Sequence, residues 1–147
     1  MSQYGGIASR AIALAIDMAI ANVAVFLLGA MVALIGSLAG GWHIGTAERV
    51  LAACAWAFVI GSYFVVCWST TGQTPGMRAM GLRVIDLRGG GHPGTVRSLI
   101  RLIGLILAII PLGAGFIPVL FDDRRRALQD FLAGTVVVYY VAPPVPA

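Results

Sequence analysis

The apolar run that begins after Arg10 and continues to Ala39 constrains this chain most, because it carries an aspartate at position 17. A run of that length exceeds the roughly 20 residues that a helix needs to cross a bilayer. An acidic side chain at the centre of a membrane helix costs about 2.5–3.5 kcal/mol even on a lenient insertion scale, so it faces a partner or a water-filled cavity. Arg10 precedes Asp17 by nearly two helical turns, which puts both on one face about 10 Å apart along the axis. The spacing therefore predicts an Arg10–Asp17 pair forming a polar site inside the bilayer. Ala13, Ala21 and Ala24 flank Asp17 on that face, where small side chains let another helix approach closely. Asn22 is expected to hydrogen-bond between helices.

Composition agrees with a bilayer chain. Hydrophobic residues make up 59% of the sequence and charged ones 11%, against about 25% charged in a soluble domain. The 147 residues allow a single domain, assigned to 8–141 with short flexible tails at 1–7 and 142–147. The net charge of +4 comes with ten basic residues that are all arginine. They flank apolar segments and are not interleaved with exposed aromatics. That pattern excludes nucleic acid as a partner and favours a bilayer with anionic head groups. Cys54 and Cys67 lie on roughly opposite faces of one apolar run and cannot pair with each other. They are expected to be buried thiols. The first run is about twice the length of a cleavable signal core, so it is expected to be a retained helix.

Further along, Gly40-Gly41 with Trp42 and His43 mark a turn at the interface. Thr46 is expected to cap a second helix from Ala47 to Trp68, with Trp68 at the opposite interface. Thr74 as N-cap and Pro75 at the first helical position start a short helix. Residues 82–87 and 135–140 read as short strands. The third apolar segment, Leu99 to Phe121, is long enough to cross, yet Pro111, Gly113, Gly115 and Pro118 break its second half. If it crosses, Arg49, Arg124, Arg125 and Arg126 face outward. If it dips in and returns, Arg49 alone does, which satisfies the positive-inside rule better. Re-entry also brings the two strands to the same side of the membrane, where they can pair. The fold expected is an α-helical integral membrane protein: two transmembrane helices, a re-entrant helical hairpin and a cytoplasmic two-stranded ribbon. It is placed in the plasma (inner) membrane, multi-pass, with both termini cytoplasmic. The segment 127–132 presents Leu128, Phe131 and Leu132 as an apolar face.

Several motifs act together. Ser9-Arg10 opens a helix containing Asp17; Thr74-Pro75-Gly76-Met77-Arg78 leads to Gly81-Leu82-Arg83-Val84-Ile85-Asp86; and Phe121-Asp122-Asp123-Arg124-Arg125-Arg126 continues through Leu128, Asp130 and Leu132-Ala133-Gly134-Thr135. This combination resembles the RDD family, named for one arginine and two aspartates, over about residues 8–138. The resemblance implies that Arg10 and Asp17 are the named arginine and first aspartate, and that the second is Asp130 or Asp122. Met77 stands where the family often has lysine. For function the resemblance implies a transport role, including cation and proton exchange.

Each polar residue also has a structural reading. The pairing of Arg10 and Asp17 can fix helix register as well as carry ions. Arg97 and Arg101, one turn apart, are expected to meet lipid head groups. Asp122 and Asp123 beside three arginines form an interfacial charge cluster. His43 and His92 lack ligand spacing, so no metal is expected. Gly89-Gly90-Gly91 is a turn and not a phosphate loop. No nucleophile and base constellation or cofactor motif is present, and enzymatic activity is not expected. Two function classes follow. One is a transport module for a cation, proton or small solute; because two helices and a hairpin cannot enclose a path, it has to act as a homo-oligomer or within a larger membrane complex. The other is an accessory or assembly subunit of such a complex.

Overall fold

The computed structural model describes residues 4–38, 45–110 and 113–140. The turn at Gly40 to His43, Pro111 and the tail 142–147 lie outside the described residues. Two long helices dominate: α1 (Ile7–Leu38) and α2 (Thr46–Thr70). Then come a short helix α3 (Pro75–Ala79), strand β1 (Leu82–Asp86), helix α4 (Thr95–Ile109), a 3₁₀ turn (Ala114–Phe116), helices α5 (Pro118–Phe121) and α6 (Leu128–Ala133), and strand β2 (Thr135–Tyr139).

The long helices are spans by length and composition, with mean hydropathies of 2.5 and 2.2 over their most apolar windows. Only 6% and 11% of those windows are buried within the protein. A core helix of a soluble protein would be mostly covered, whereas these leave Phe26, Leu27, Leu34, Leu38, Leu51 and Phe58 more than half exposed. Such faces are stable against lipid and not against water. The helices form an antiparallel hairpin: Tyr63 near the end of α2 donates to Asp17 near the start of α1, at 3.0 Å. Roughly 30 Å of α1 remains beyond Asp17, the thickness of a bilayer's hydrocarbon core.

All other elements gather at the end of the hairpin that holds the start of α1, and form a cap. Its apolar core joins Ala13 of α1, Phe64 and Trp68 of α2, Met77 of α3, Leu82 and Val84 of β1, Leu105 of α4 and Val137 of β2. Leu82 and Val84 are fully buried; each such side chain contributes about 1.5–3 kcal/mol. Within the cap β1 and β2 pair antiparallel, Leu82 opposite Tyr139 and Val84 opposite Val137. The ribbon gains edges on both sides. Val84 N–H donates to Gly72 at 2.8 Å, and Gly5 N–H donates to Val137 at 2.9 Å. Tyr4 also bridges Val138, so part of the stretch assigned to a flexible N-terminal tail continues the sheet.

The third apolar segment is no continuous helix. It ends as α4 at Ile109, and Gly113 takes a left-handed conformation (φ 82°) before the 3₁₀ turn. Gly115 then packs flat on α4, where an added Cβ would collide with Ala108. Pro118 restarts the chain as α5, using the fixed φ that suits a first helical turn.

Local expectations need correction at several points. Gly45, not Thr46, occupies the N-cap of α2. Trp68 is 4% exposed and belongs to the core, not to an interface. Asn22 donates within its own helix, to the Met18 carbonyl at 2.7 Å, and is exposed. Ala13 and Ala21 are buried as expected, but Ala24 is exposed. Cys54 is exposed and Cys67 half-buried, because both sit on a helix with little protein around it.

The register supplies a test. Val84 and Val137 donate and accept outward, to Gly72 and from Gly5, so they are a non-hydrogen-bonded pair with Cα atoms about 4.5 Å apart, within reach of a disulfide. In a chain with Cys54 and Cys67 replaced by Ala, the V84C/V137C pair should oxidise efficiently and the V84C/V136C pair should not. Gel mobility before and after reduction measures both.

Candidate functional site: two buried carboxylates

Asp17 is 1% exposed. Its Oδ1 accepts from Gly76 N–H at 2.7 Å and from the Tyr63 hydroxyl, and its Oδ2 accepts a short hydrogen bond from the Thr74 hydroxyl. Thr74 thereby serves twice, since its oxygen also accepts from Met77 N–H at 3.2 Å and caps α3. The carboxylate thus fastens α3 and α2 to α1. Gly76 is required for this approach: a Cβ there would strike the Ala13 carbonyl and the Asp17 carboxyl.

Arg10 does not pair with Asp17. Its Nη1 makes an ion pair with Asp130 Oδ2, Nε donates to the Gly5 carbonyl at 3.0 Å and Nη2 to the Arg125 carbonyl at 2.6 Å. Arg101 takes the other oxygen of Asp130, and its Nη1 also donates to the Thr135 hydroxyl at 2.9 Å. Asp130 accepts from Ala127 N–H as well, at 3.1 Å. Two guanidiniums therefore share one carboxylate at the junction of α1, α4, α6 and β2, with Arg10 8%, Arg101 4% and Asp130 0% exposed. The spacing argument put Arg10 with Asp17 because both lie on one helix. The structure instead sends each to another element, which satisfies both charges without bending either side chain along α1.

The lipid-facing assignment of Arg101 is likewise corrected. Arg101 is buried, its guanidinium 4.9 Å from the centre of the Trp68 ring, while Arg97 makes an ion pair with Asp86. Asp122 stays apart from Asp130. It is held by Arg126 through Nε at 3.0 Å, Nη2 at 2.9 Å and the backbone N–H at 3.0 Å. Arg126 also stacks 4.1 Å from the centre of the Phe131 ring. Of the four site candidates, the structure joins Arg10 to Asp130, places Asp17 on the wall of the same cavity as Arg10, and leaves Asp122 separate. That cavity, of about 50 Å³, is also lined by Trp68, Thr74, Met77, Arg101 and Gln129. Among the described residues no group of three or more His, Cys, Asp or Glu side chains suits a metal ion.

Comparison with known proteins fits this architecture. The RDD family matches residues 4–134. The chain belongs to the RDD family. One relative, an uncharacterised protein of Rickettsia prowazekii (strain Madrid E), is 34% identical over 80 residues, covering 54% of this chain and 44% of the relative. The chain thus spans less than half the length of that curated relative. No solved structure matches. With two long apolar helices left bare of protein, this RDD protein is a membrane protein.

Sequence reasoning missed Tyr63, Gln129 and Thr135. Tyr63 and Thr135 lie inside an apolar run and a strand, where a hydroxyl carries no distinctive spacing. Thr74 and Gly76 were visible as helix-start chemistry, though nothing in the sequence ties them to Asp17.

Two carboxylates outside the spans, Asp130 and Asp122, are held ionised. Burial raises the Asp130 carboxyl, but the Arg101 and Arg10 guanidiniums outweigh it and bring it below its usual value. Arg126 draws Asp122 down to about 2. Folded values below the unfolded value of about 4 mean that the stabilisation is full above pH 4 and is lost as pH falls through the folded values. Asp130→Asn should cost about 3–5 kcal/mol at pH 7, because it strands two buried cations. Asp122→Asn should cost under about 1 kcal/mol. Thermal melts in detergent at pH 7 and pH 3 measure both, and the acid-induced loss should be smaller in Asp130→Asn than in the parent. A third variant reports close packing. Helix propensity alone would make Gly76→Ala stabilising by about 1 kcal/mol, but the clash with α1 should reverse the sign and lower the melting temperature by several degrees.

Proposed function

We propose that this RDD protein is an assembly or accessory subunit, working within a larger membrane complex or as a homo-oligomer, and that its named charges are structural fasteners. One observation carries the reading: Asp17 and Asp130 are 1% and 0% exposed and are bonded to protein donors through both oxygens. A transporting carboxylate has to exchange its partner for a proton or cation, whereas these two hold α1, α3, α4 and α6 together. The bare outer halves of α1 and α2 remain as surface for lipid or partner helices.

The same proposal includes a topology. α1 and α2 cross the plasma membrane, the segment 99–121 enters and returns, and both termini are cytoplasmic beside the ribbon. Gly5 bonded to β2 supports a common side for the N-terminus and the ribbon. The exposed Arg88, Arg124 and Arg125 then meet anionic head groups,.

Transport of a cation or proton is the second reading, favoured by the shared cavity of Arg10, Asp17 and Arg101. Replacing Asp17 by Asn separates the two. The assembly reading expects lower thermal stability, loss of self-association or of the co-purifying complex, and no proton or cation flux in proteoliposomes with or without the substitution. A parent flux that Asp17→Asn abolishes at unchanged stability would put transport in its place. For topology, single cysteines at Ser2 and Ala147 should resist an impermeant reagent in intact cells and one at Gly41 should react. Labelling at Ala147 with protection at Ser2 would mean three crossings.

A further inference from the structure

The two spanning helices meet beside the cap, where Tyr63 reaches Asp17. Between their outer halves lies a cleft of about 750 Å³, lined by Val25, Leu28 and Val32 of α1 and by Ala52, Ala55 and Val59 of α2. On each helix these positions recur three or four residues apart, the spacing of the seam along which helices interlock. Here the two seams stand apart across the cleft, and Leu28, Val32 and Val59 are each about half exposed. Side chains that line a gap lack packing partners on that side, and packing is the main force between helices in lipid. The cleft is therefore a surface that another group covers.

Charge at the cleft's outer end identifies that group. Glu48, in the first turn of α2, lines the cleft, and Arg49 follows it. Both are exposed, and among the described residues neither side chain has a hydrogen bond or an ion pair. They do not satisfy each other, because successive residues of a helix point about 100° apart. A second copy inserted in the same direction is related to the first by a two-fold axis along the bilayer normal, so equivalent residues lie at equal depth. Glu48 then needs a cation of nearly its own depth, and Arg49 is the one arginine at that end of the hairpin among the described residues. The axis makes the pairing reciprocal, giving two ion pairs for one contact. A lipid tail would fill the cleft and pair neither charge, and an anionic head group would meet Arg49 and repel Glu48.

We propose that two copies of this chain dock cleft to cleft, closing a four-helix bundle of two α1 and two α2 helices, with Glu48 of each copy paired to Arg49 of the other. The proposal rests on the assembly reading above and names the surface through which assembly occurs.

The test uses the full chain with Cys54 and Cys67 replaced by Ala. In native membranes under oxidation, Ala52→Cys or Ala55→Cys should give a disulfide-linked dimer, and Ala57→Cys, on the opposite face of α2, should not. In detergent, energy transfer between labelled copies measures self-association on dilution. Glu48→Arg and Arg49→Glu should each weaken it about tenfold or more by placing like charges together, and the double exchange Glu48→Arg with Arg49→Glu should restore it. The disulfide measurement needs neither charge variant, so the interface is tested even where these fail to fold. A chain that stays monomeric, a dimer indifferent to both charge reversals, or linkage at Ala57 in place of the cleft positions overturns the proposal. A monomer whose Ala55→Cys links to a different chain overturns the second copy and leaves the accessory-subunit reading standing. A monomer that links to nothing and shows a flux abolished by Asp17→Asn overturns both.

Discussion

Asp130 is where the cap of this protein is held together. Its carboxylate is completely buried between the guanidiniums of Arg10 and Arg101 and also accepts from the Ala127 backbone. Buried charges of this kind are expensive to desolvate, and a well-packed apolar replacement can equal them in stability. What apolar contacts cannot supply is direction. A guanidinium has five donors in a fixed fork, and Arg10 uses its fork to reach Asp130, the Gly5 carbonyl and the Arg125 carbonyl together. One side chain on α1 thus fixes the approach of the segment at Gly5, the loop before α6 and α6 itself. Arg125 adopts a left-handed conformation (φ 50°) at that point, a strained choice for arginine that turns its carbonyl to Arg10.

Asp17 has a complementary part. It is anchored by two hydroxyls and one backbone N–H, and by no cation among the described residues. The result is a carboxylate that organises the start of α3 as a helix N-terminus would organise an anion, with the roles of protein and ligand played by two segments of one chain. Arg10 and Asp17 are therefore neighbours in the chain with different duties, both lining one cavity.

How far this was legible in the sequence depends on the range of the interaction. Helix existence was legible because it follows from local apolar length, and the α3 start because Thr74 and Pro75 carry cap chemistry within a few residues. The strands were legible from β-branched runs, and their pairing from having no other candidate. The partner of Arg10 was not, since periodicity along one helix ranks Asp17 first and carries no term for a residue 120 positions away. Arg101 was misread for a similar reason: an arginine at the start of an apolar segment looks like a head-group anchor until α6 is seen to cover it. Family resemblance supplied Asp130 and Asp122 as alternatives, and geometry separated them by burial.

The distance in sequence between partners also orders events during synthesis. Asp17 leaves the ribosome well before Thr74 and Gly76, and Arg10 waits for Asp130, 120 residues later. At about 5–20 residues per second that wait is on the order of ten seconds. Through that interval the first helix has to enter the membrane with a cation and a carboxylate lacking the groups that will finally satisfy them. Helix α1 is therefore made before the segments that complete its electrostatic surroundings, and it depends meanwhile on water, lipid head groups or the insertion machinery to keep its charged end soluble.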